Sequence, residues 1–257
     1  MFFLKELSRQ SRNNSFYFYY CTVLLIFVNM NDIIITIDGY SACGKSTLAK
    51  QLAKELGYIY VDSGAMYRAI TLYFLRHHID WTNAASVHTA LQSIVIEFRF
   101  NEQAQQSEIF LNDENVEYVI RDLVIAEKVS EVATLKEVRS FAVAQQQKIG
   151  EKKGIVMDGR DIGTTVFPDA VLKIFMTADI TVRVERRFVE LFNKNPNITL
   201  EEVKSNLEMR DYIDSNREIS PLRKADDAIE LDNTFLSIEQ QLALTLKLAK
   251  EKLTQPD

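Results

Sequence analysis

Cysteine is nearly absent from this chain: 2 of its 257 residues, Cys21 and Cys43. Two thiols build neither a disulfide framework nor a structural zinc site, and such sparse usage points to a reducing, cytoplasmic compartment. Histidine is also scarce. The 3 histidines, His77, His78 and His88, stand apart from every motif described below. Basic residues do not dominate, since 30 Lys and Arg against 36 Asp and Glu give a net charge of −6. Proteins that live on a phosphate backbone carry a basic balance, so nucleic acid is not an expected partner. Phosphate chemistry would have to draw on a focused group of arginines. There is no internal repeat, low-complexity tract or Pro/Gly-rich linker. The longest apolar run, Phe16 to Val28, covers about 20 Å as a helix, short of the roughly 30 Å hydrocarbon core. Lys5, Arg9 and Arg12 precede it as in a signal peptide, but Asn29-Met30-Asn31 is a poor cleavage site. The expectation is a functional start at Met30, with residues 1–29 a dispensable arm or an upstream translation artefact, and no membrane partner.

Against these absences stands one dense motif. Gly39-Tyr40-Ser41-Ala42-Cys43-Gly44-Lys45-Ser46 is a complete G-x-x-x-x-G-K-S phosphate loop, with Thr47 following. The apolar, β-branched run Ile33 to Ile37 precedes it, as in a buried parallel strand. After it, Leu48, Ala49, Leu52, Ala53 and Leu56 fall on one helical face, and Gly57 ends the pattern. Strand, glycine loop and helix together supply inward-pointing N–H groups at the positive end of a helix dipole. Lys45 is expected to reach the terminal phosphates and the Ser46 hydroxyl to ligate magnesium. Cys43 reads as a small side chain tolerated in the loop, although a redox switch is the alternative.

Apolar segments alternate with helical patterns along the chain. Expected core strands are Ile33–Ile37, Tyr58–Val61, Ile155–Met157, Val171–Met176 and Ala228–Leu231, which gives an α/β fold with a five-stranded parallel sheet covered by helices on both faces. In such sheets ligands lie beyond the carboxyl ends of the strands. One segment breaks the rhythm. Ile94 to Phe100 alternates, and Glu108 to Leu111 and Val116 to Val119 follow across a turn at Asn112 to Asn115. These residues predict a small antiparallel sheet inserted between the second and third core strands, as a substrate-binding subdomain. Helices are expected at Leu123–Val132, Leu135–Lys152, 199–215 (amphipathic) and from Ile238 to about Lys252. Capping boxes at Thr199/Glu202 and Ser237/Gln240 start the last two.

Phosphoryl transfer needs positive charge at fixed positions more than proton shuttles. Four groups of residues offer it. Asp62-Ser63-Gly64 opens a helix that carries Arg68 one turn in, though a capping Asp and a solvated arginine would look the same. Asp158-Gly159-Arg160-Asp161 follows a buried strand, with Asp158 placed to orient magnesium through water and Arg160 to clamp a phosphoryl group. Arg210, Asp214 and Arg217 share a helix face, either as a site or as an ordinary salt-bridged surface. Arg183, Arg186 and Arg187 also share one, as a flap over the polyphosphate or as a solvated basic face. No histidine is needed, because a phosphate monoester is already an anionic nucleophile at neutral pH.

Read together, the segments 37–47, 62–68, Val-Ser-Glu-Val-Ala (129–133), 158–170, 210–217, Ser220-Pro221-Leu222 and Leu231-Asp232-Asn233-Thr234 resemble the bacterial cytidylate kinase family. The resemblance runs in order from about residue 31 to the C-terminus. It implies a phosphate-loop kinase acting as a monomer on small nucleotides, passing the γ-phosphoryl group of ATP, with Mg2+, to CMP or dCMP. It implies a single domain over 30–257, with an acceptor-binding insert about 62–130, enlarged around 84–120, and a lid about 183–197. By the same resemblance the donor is held by Gly39 to Thr47 with Arg183 and Arg187, and the metal by Ser46 and Asp158. The acceptor is held by Ser63, Arg68, Arg160, Arg210, Asp214 and Arg217, with Ser130, Arg139 and Asp161 around the base. Lys45, Arg160, Arg210 and Arg217 are its implied catalytic residues. Tyr40 and Ser46 stand where family members commonly carry proline and glycine. A kinase for another small acceptor, such as thymidylate or shikimate, is the nearest alternative. A guanine-nucleotide switch is opposed by Asn193-Lys194-Asn195-Pro196, which fails its signature, and by the lack of a glutamate after Asp158.

Overall fold

The computed structural model describes residues 32–104, 106–193 and 195–254, so the N-terminal arm and its apolar run lie outside the described residues. The strands, in chain order, are β1 (Ile34–Gly39), β2 (Ile59–Asp62), β3 (Ile96–Asn101), β4 (Gln106–Leu111), β5 (Glu114–Asn115), β6 (Ile155–Gly159), β7 (Leu172–Thr177) and β8 (Ile229–Asp232). The α-helices are α1 (Lys45–Leu56), α2 (Ser63–Arg76), α3 (Ala84–Gln92), α4 (Leu123–Val132), α5 (Lys136–Gly150), α6 (Ile180–Phe192), α7 (Leu200–Asn216) and α8 (Ile238–Thr254).

Five strands form one parallel sheet in the order β2-β6-β1-β7-β8. β1 is central, with Ile35 opposite both Val156 of β6 and Leu172 of β7. Strands buried on both faces tolerate unbroken apolar runs, which is why Ile35, Ile37, Val156, Met157 and Leu172 are all buried. On one face, Leu48, Ala49 and Leu52 of α1 pack with Ile35, Ile174 and Ala249, the last from α8. The opposite face is covered by α5, through Val143 and Ile149 against Val61, Ile155 and Met157. Helices therefore flank both faces, as the alternation predicts. The strand order brings the ends of β2, β6 and β1 side by side, so the loops carrying Asp62, Asp158 and the glycine motif open into one crevice.

The insert has its own core. Ile96, Ile109, Leu111 and Val116 pack with Met66, Ile70 and Phe74 of α2 and with Val129 and Val132 of α4. β3, β4 and β5 are antiparallel, as expected, but two details of the prediction are corrected. The third strand is the two-residue β5, not Val116–Val119, because the turn is confined to Asn112 and Asp113. Both adopt left-handed φ, 48° and 67°, the geometry of a tight two-residue hairpin, so pairing resumes at Glu114. Val116 is buried below the sheet, and Val119–Arg121 is a 3-10 turn. On β3, Phe100 is exposed, so the alternation buries only its first half.

A third correction concerns α7. Its capping box forms as expected, Thr199 and Glu202 exchanging hydrogen bonds. Its inward face, however, is not a continuous apolar stripe. Val203 and Leu207 are buried near its start, and then the same face turns charged at Arg210, Asp211 and Asp214, while Met209 and Tyr212 are exposed. The helix also stops at Asn216, leaving Arg217 as an extended cap residue.

Candidate active site

The phosphate loop owes its shape to its backbone. Gly39 must be glycine, because a Cβ there would lie 2.1 Å from the Met176 carbonyl oxygen, at φ +148°. Ala42 (φ 57°) and Gly44 (φ 89°) then alternate handedness ahead of α1, turning successive N–H groups inward as an anion nest. Lys45 opens α1 and donates through Nζ to the Tyr40 carbonyl, 2.7 Å away. Burial pulls its pKa down, and Arg160 adds to the effect. The Tyr40 ring meets Phe175 edge-on at 5.9 Å, and the Arg183 guanidinium lies 5.3 Å above it, so this side chain is packed, not loose. Cys43 is buried and donates to the Tyr40 carbonyl, which favours the plain packing reading.

Asp158, at the end of β6, accepts from Ser46 Oγ at 2.9 Å and from Tyr60 Oη at 2.8 Å. Burial, then the neighbouring Asp62, push its pKa up to about 6. Asp62 caps α2 by accepting from the Ala65 N–H, and Arg68 sits one turn further on. Both alternatives in that segment are thus present: a capping aspartate, and an arginine turned into the cleft.

A cleft of about 340 Å³ runs between this loop and a wall of guanidinium groups. Arg68, Arg121, Arg160, Arg187, Arg210 and Arg217 line it, with Ser63, Ser130, Asp161 and Asp214. Arg160 donates through Nε to Asp214 at 2.8 Å and through Nη2 to Ser41 Oγ at 2.9 Å. Burial opposes its charge, but Asp214 outweighs that and holds the pKa up. Asp161 takes a bidentate load from two cations, Arg139 on Oδ2 and Arg217 on Oδ1. Arg68 and Arg210 differ, forming no ion pair among the described residues. Burial lowers both pKa values, that of Arg210 to about 10, with Arg160 and Arg68 adding to the effect there. Arg210 Nε is buried without a hydrogen-bond partner. Unpaired, half-buried cations facing an anion nest are a binding site in want of an anion.

The residues singled out from sequence therefore converge, with two kinds of exception. Arg139 lies behind the cleft, against its lining residues Asp161, Ala133 and Tyr67. The flap arginines diverge: Arg187 lines the cleft and pairs with Glu190, Arg186 donates to Asn233, and Arg183 donates to the Ser41 carbonyl of the phosphate loop. Sequence reasoning missed Asp38, Arg121 and Asp211. Asp38 accepts from the N–H groups of Ile162 and Gly163 at 2.8 and 2.7 Å, and so fixes the turn that carries Arg160 and Asp161. A lone acid closing an apolar strand was its signal. Arg121, 3.5 Å from Asp62, had none.

Burial also raises the Asp38 pKa to about 6. A carboxyl whose folded pKa lies above its usual 3.8 adds stability that is full below the lower value and lost as pH rises through the higher. Nucleotide-free protein is therefore expected to melt several degrees higher at pH 5 than at pH 7.5, each pKa unit being worth about 1.4 kcal/mol. Asp214, held low by Arg160 and Arg217 against its own burial, opposes this only below about pH 4. Thermal melts across that range check it, and a midpoint falling steadily from pH 7.5 to 5 contradicts it.

Strand, anion nest and helix over a parallel sheet, faced by buried guanidinium groups, define a phosphate-loop kinase architecture. Residues 35–251 match the family model described as cytidylate kinase. A cytidylate kinase of Cytophaga hutchinsonii is 52% identical over 226 residues, 88% of this chain and 97% of that protein. One from Bacteroides thetaiotaomicron is 55% identical over 215 residues, 82% and 94% respectively. The chain belongs to the cytidylate kinase family.

Proposed function

We propose that this protein transfers the γ-phosphoryl group of ATP to CMP or dCMP, giving CDP or dCDP and ADP. The observation that carries the reading is the pairing, across one cleft, of a phosphate loop with the unpaired Arg68 and Arg210. Two polyanions can face each other there only if fixed cations neutralise them, and electrostatic preorganisation of this kind supplies most of such a barrier reduction. In this reading the amides from Gly39 to Thr47, with Lys45 and Arg187, hold the donor. Arg68, Arg160, Arg210 and Arg217 hold the acceptor phosphate, and Asp214 the sugar. The acceptor oxygen attacks as an anion, so no side chain has to remove a proton.

For the metal, the hydroxyl of Ser46 and the carboxylates of Asp158 and Asp62 form a hard oxygen set beside the loop, the chemistry Mg2+ prefers. No group of three or more His, Cys, Asp or Glu able to hold a metal occurs among the described residues. Ser46 and Asp158 would hold Mg2+ there, and it would supply charge neutralisation for the polyphosphate.

Ser130, Asp161 and the Arg139 behind it form the base pocket in this reading. Each Asp161 oxygen receives one arginine N–H and keeps a lone pair for the N4 amino group of cytosine. Uracil offers an acceptor at that position and is repelled. A panel of nucleoside monophosphates with ATP tests the function directly: CMP and dCMP should be preferred, and equal use of all acceptors would overturn the reading. The same panel on Asp161→Asn should show the preference over UMP relaxed about tenfold or more. The variant should also melt lower, because Arg139 is left buried without its counter-charge and Arg217 keeps only Asp214.

We further infer one kinase domain over 30–257, with its acceptor-binding insert at about 62–130 and a lid at about 183–197. We also infer a cytoplasmic monomer acting on small nucleotides, without a membrane partner; the net charge of −6 speaks against nucleic acid as a partner. No described helix is long and apolar enough to cross a membrane.

A further inference from the structure

The flap reading of Arg183 does not fit where its side chain goes. Arg183 is buried, Nε donating to the Ala178 carbonyl and Nη1 to the Ser41 carbonyl at 3.2 Å and to Asp211 Oδ2. The other oxygen of Asp211, Oδ1, accepts from the backbone N–H of Ser41 at 3.0 Å. The Ser41 residue is therefore gripped at both its N–H and its carbonyl by one ion pair, whose members come from α6 and α7. The Arg183 guanidinium also covers the Tyr40 ring.

The consequence reaches the acceptor side. With its backbone gripped, Ser41 aims Oγ at Arg160 Nη2, while Asp214, one turn after Asp211 on α7, holds Arg160 Nε. Asp211, Ser41, Arg160 and Asp214 thus close a ring that ties the donor loop to the acceptor clamp. We propose that the Arg183–Asp211 pair is a positioning clasp that sets the Ser41 backbone, and through it the aim of Arg160, and that Arg183 does not contact the polyphosphate. The clasp deepens the kinase reading and rests on it. Both members act through Ser41, so neither is a catalytic residue.

Asp211→Asn and Arg183→Met test this singly and together, on full-length protein with whichever monophosphate the wild type phosphorylates. A wrong acceptor assignment then shows in the wild type, and a wrong clasp only in the variants. Each single variant should lose about 10- to 30-fold in kcat, and the double variant should fall no further than the worse single, since both cut the same link. ATP affinity, measured by calorimetry without acceptor, should stay within about threefold in Arg183→Met, and Arg183→Lys should recover part of kcat. Unchanged kcat in both singles, with only a lower melting point, would reduce the pair to a structural tie. ATP binding weakened about tenfold or more by Arg183→Met, with Asp211→Asn silent, would return Arg183 to the polyphosphate.

Discussion

Arg210→Gln is expected to raise the thermal midpoint of the nucleotide-free protein while cutting its turnover about 10²- to 10³-fold. The two effects have one cause. Burial, then Arg160 and Arg68, lower the Arg210 pKa to about 10, and the attraction of Asp214, which forms no ion pair with it, offsets this only in part. Near neutral pH the group is charged whether the chain is folded or not, so the folded state carries the whole cost, about 3 kcal/mol. Gln keeps much of the stem and removes the charge, which should lift the midpoint by several degrees in a domain of this size. A bound polyanion relieves the same strain in the wild type. A bisubstrate analogue should therefore stabilise the wild type more than the variant, reversing their order of melting. A variant that melts lower than wild type when empty, or turns over normally, would contradict this account.

That cluster was partly legible in the sequence, and the reasons divide cleanly. The phosphate loop is a local object: Gly39, Gly44 and Lys45 are dictated by φ and by contact with the next strand, so eight consecutive residues reveal it. The five core strands were equally plain, because strands buried on both faces leave runs such as Ile33 to Ile37 that little else produces. The convergence of Arg68, Arg160, Arg210 and Arg217 could be anticipated because each follows a strand end or shares a helix face with a partner. Their pairing could not. Whether an arginine is bound to a carboxylate or left bare depends on residues far away in the chain. Ser41 meets Asp211 across 170 positions, and Asp38 meets Ile162 across 124. For the same reason Arg183, Arg186 and Arg187 looked alike as a helical face. Three neighbouring guanidinium groups reach three different partners, since each side chain is long enough to choose. The two-residue turn at Asn112 and Asp113 escaped notice on other grounds. Asn and Asp tolerate left-handed backbone without requiring it, so four polar residues in a row did not show where the turn began.

Lys45→Met should remove about 10³-fold or more of turnover, and do so with little change in stability. The ammonium group is buried and held by the Tyr40 carbonyl at 2.7 Å, a neutral partner that only partly repays its desolvation. Burial and the nearby Arg160 therefore disfavour its charged form, and methionine fills the same channel without that cost. The melting point should stay within a few degrees of wild type. Catalysis is another matter, because charge builds on the transferring group just where the ammonium ends its reach, between the anion nest and Arg160. Removing it withdraws an interaction that strengthens in the transition state, so kcat and kcat/KM should fall together. The loop amides remain, and ATP affinity should weaken about tenfold at most. A variant that kept a tenth of wild-type turnover would show that the arginine wall alone neutralises the transfer, and that the lysine serves mainly to shape the loop through Tyr40.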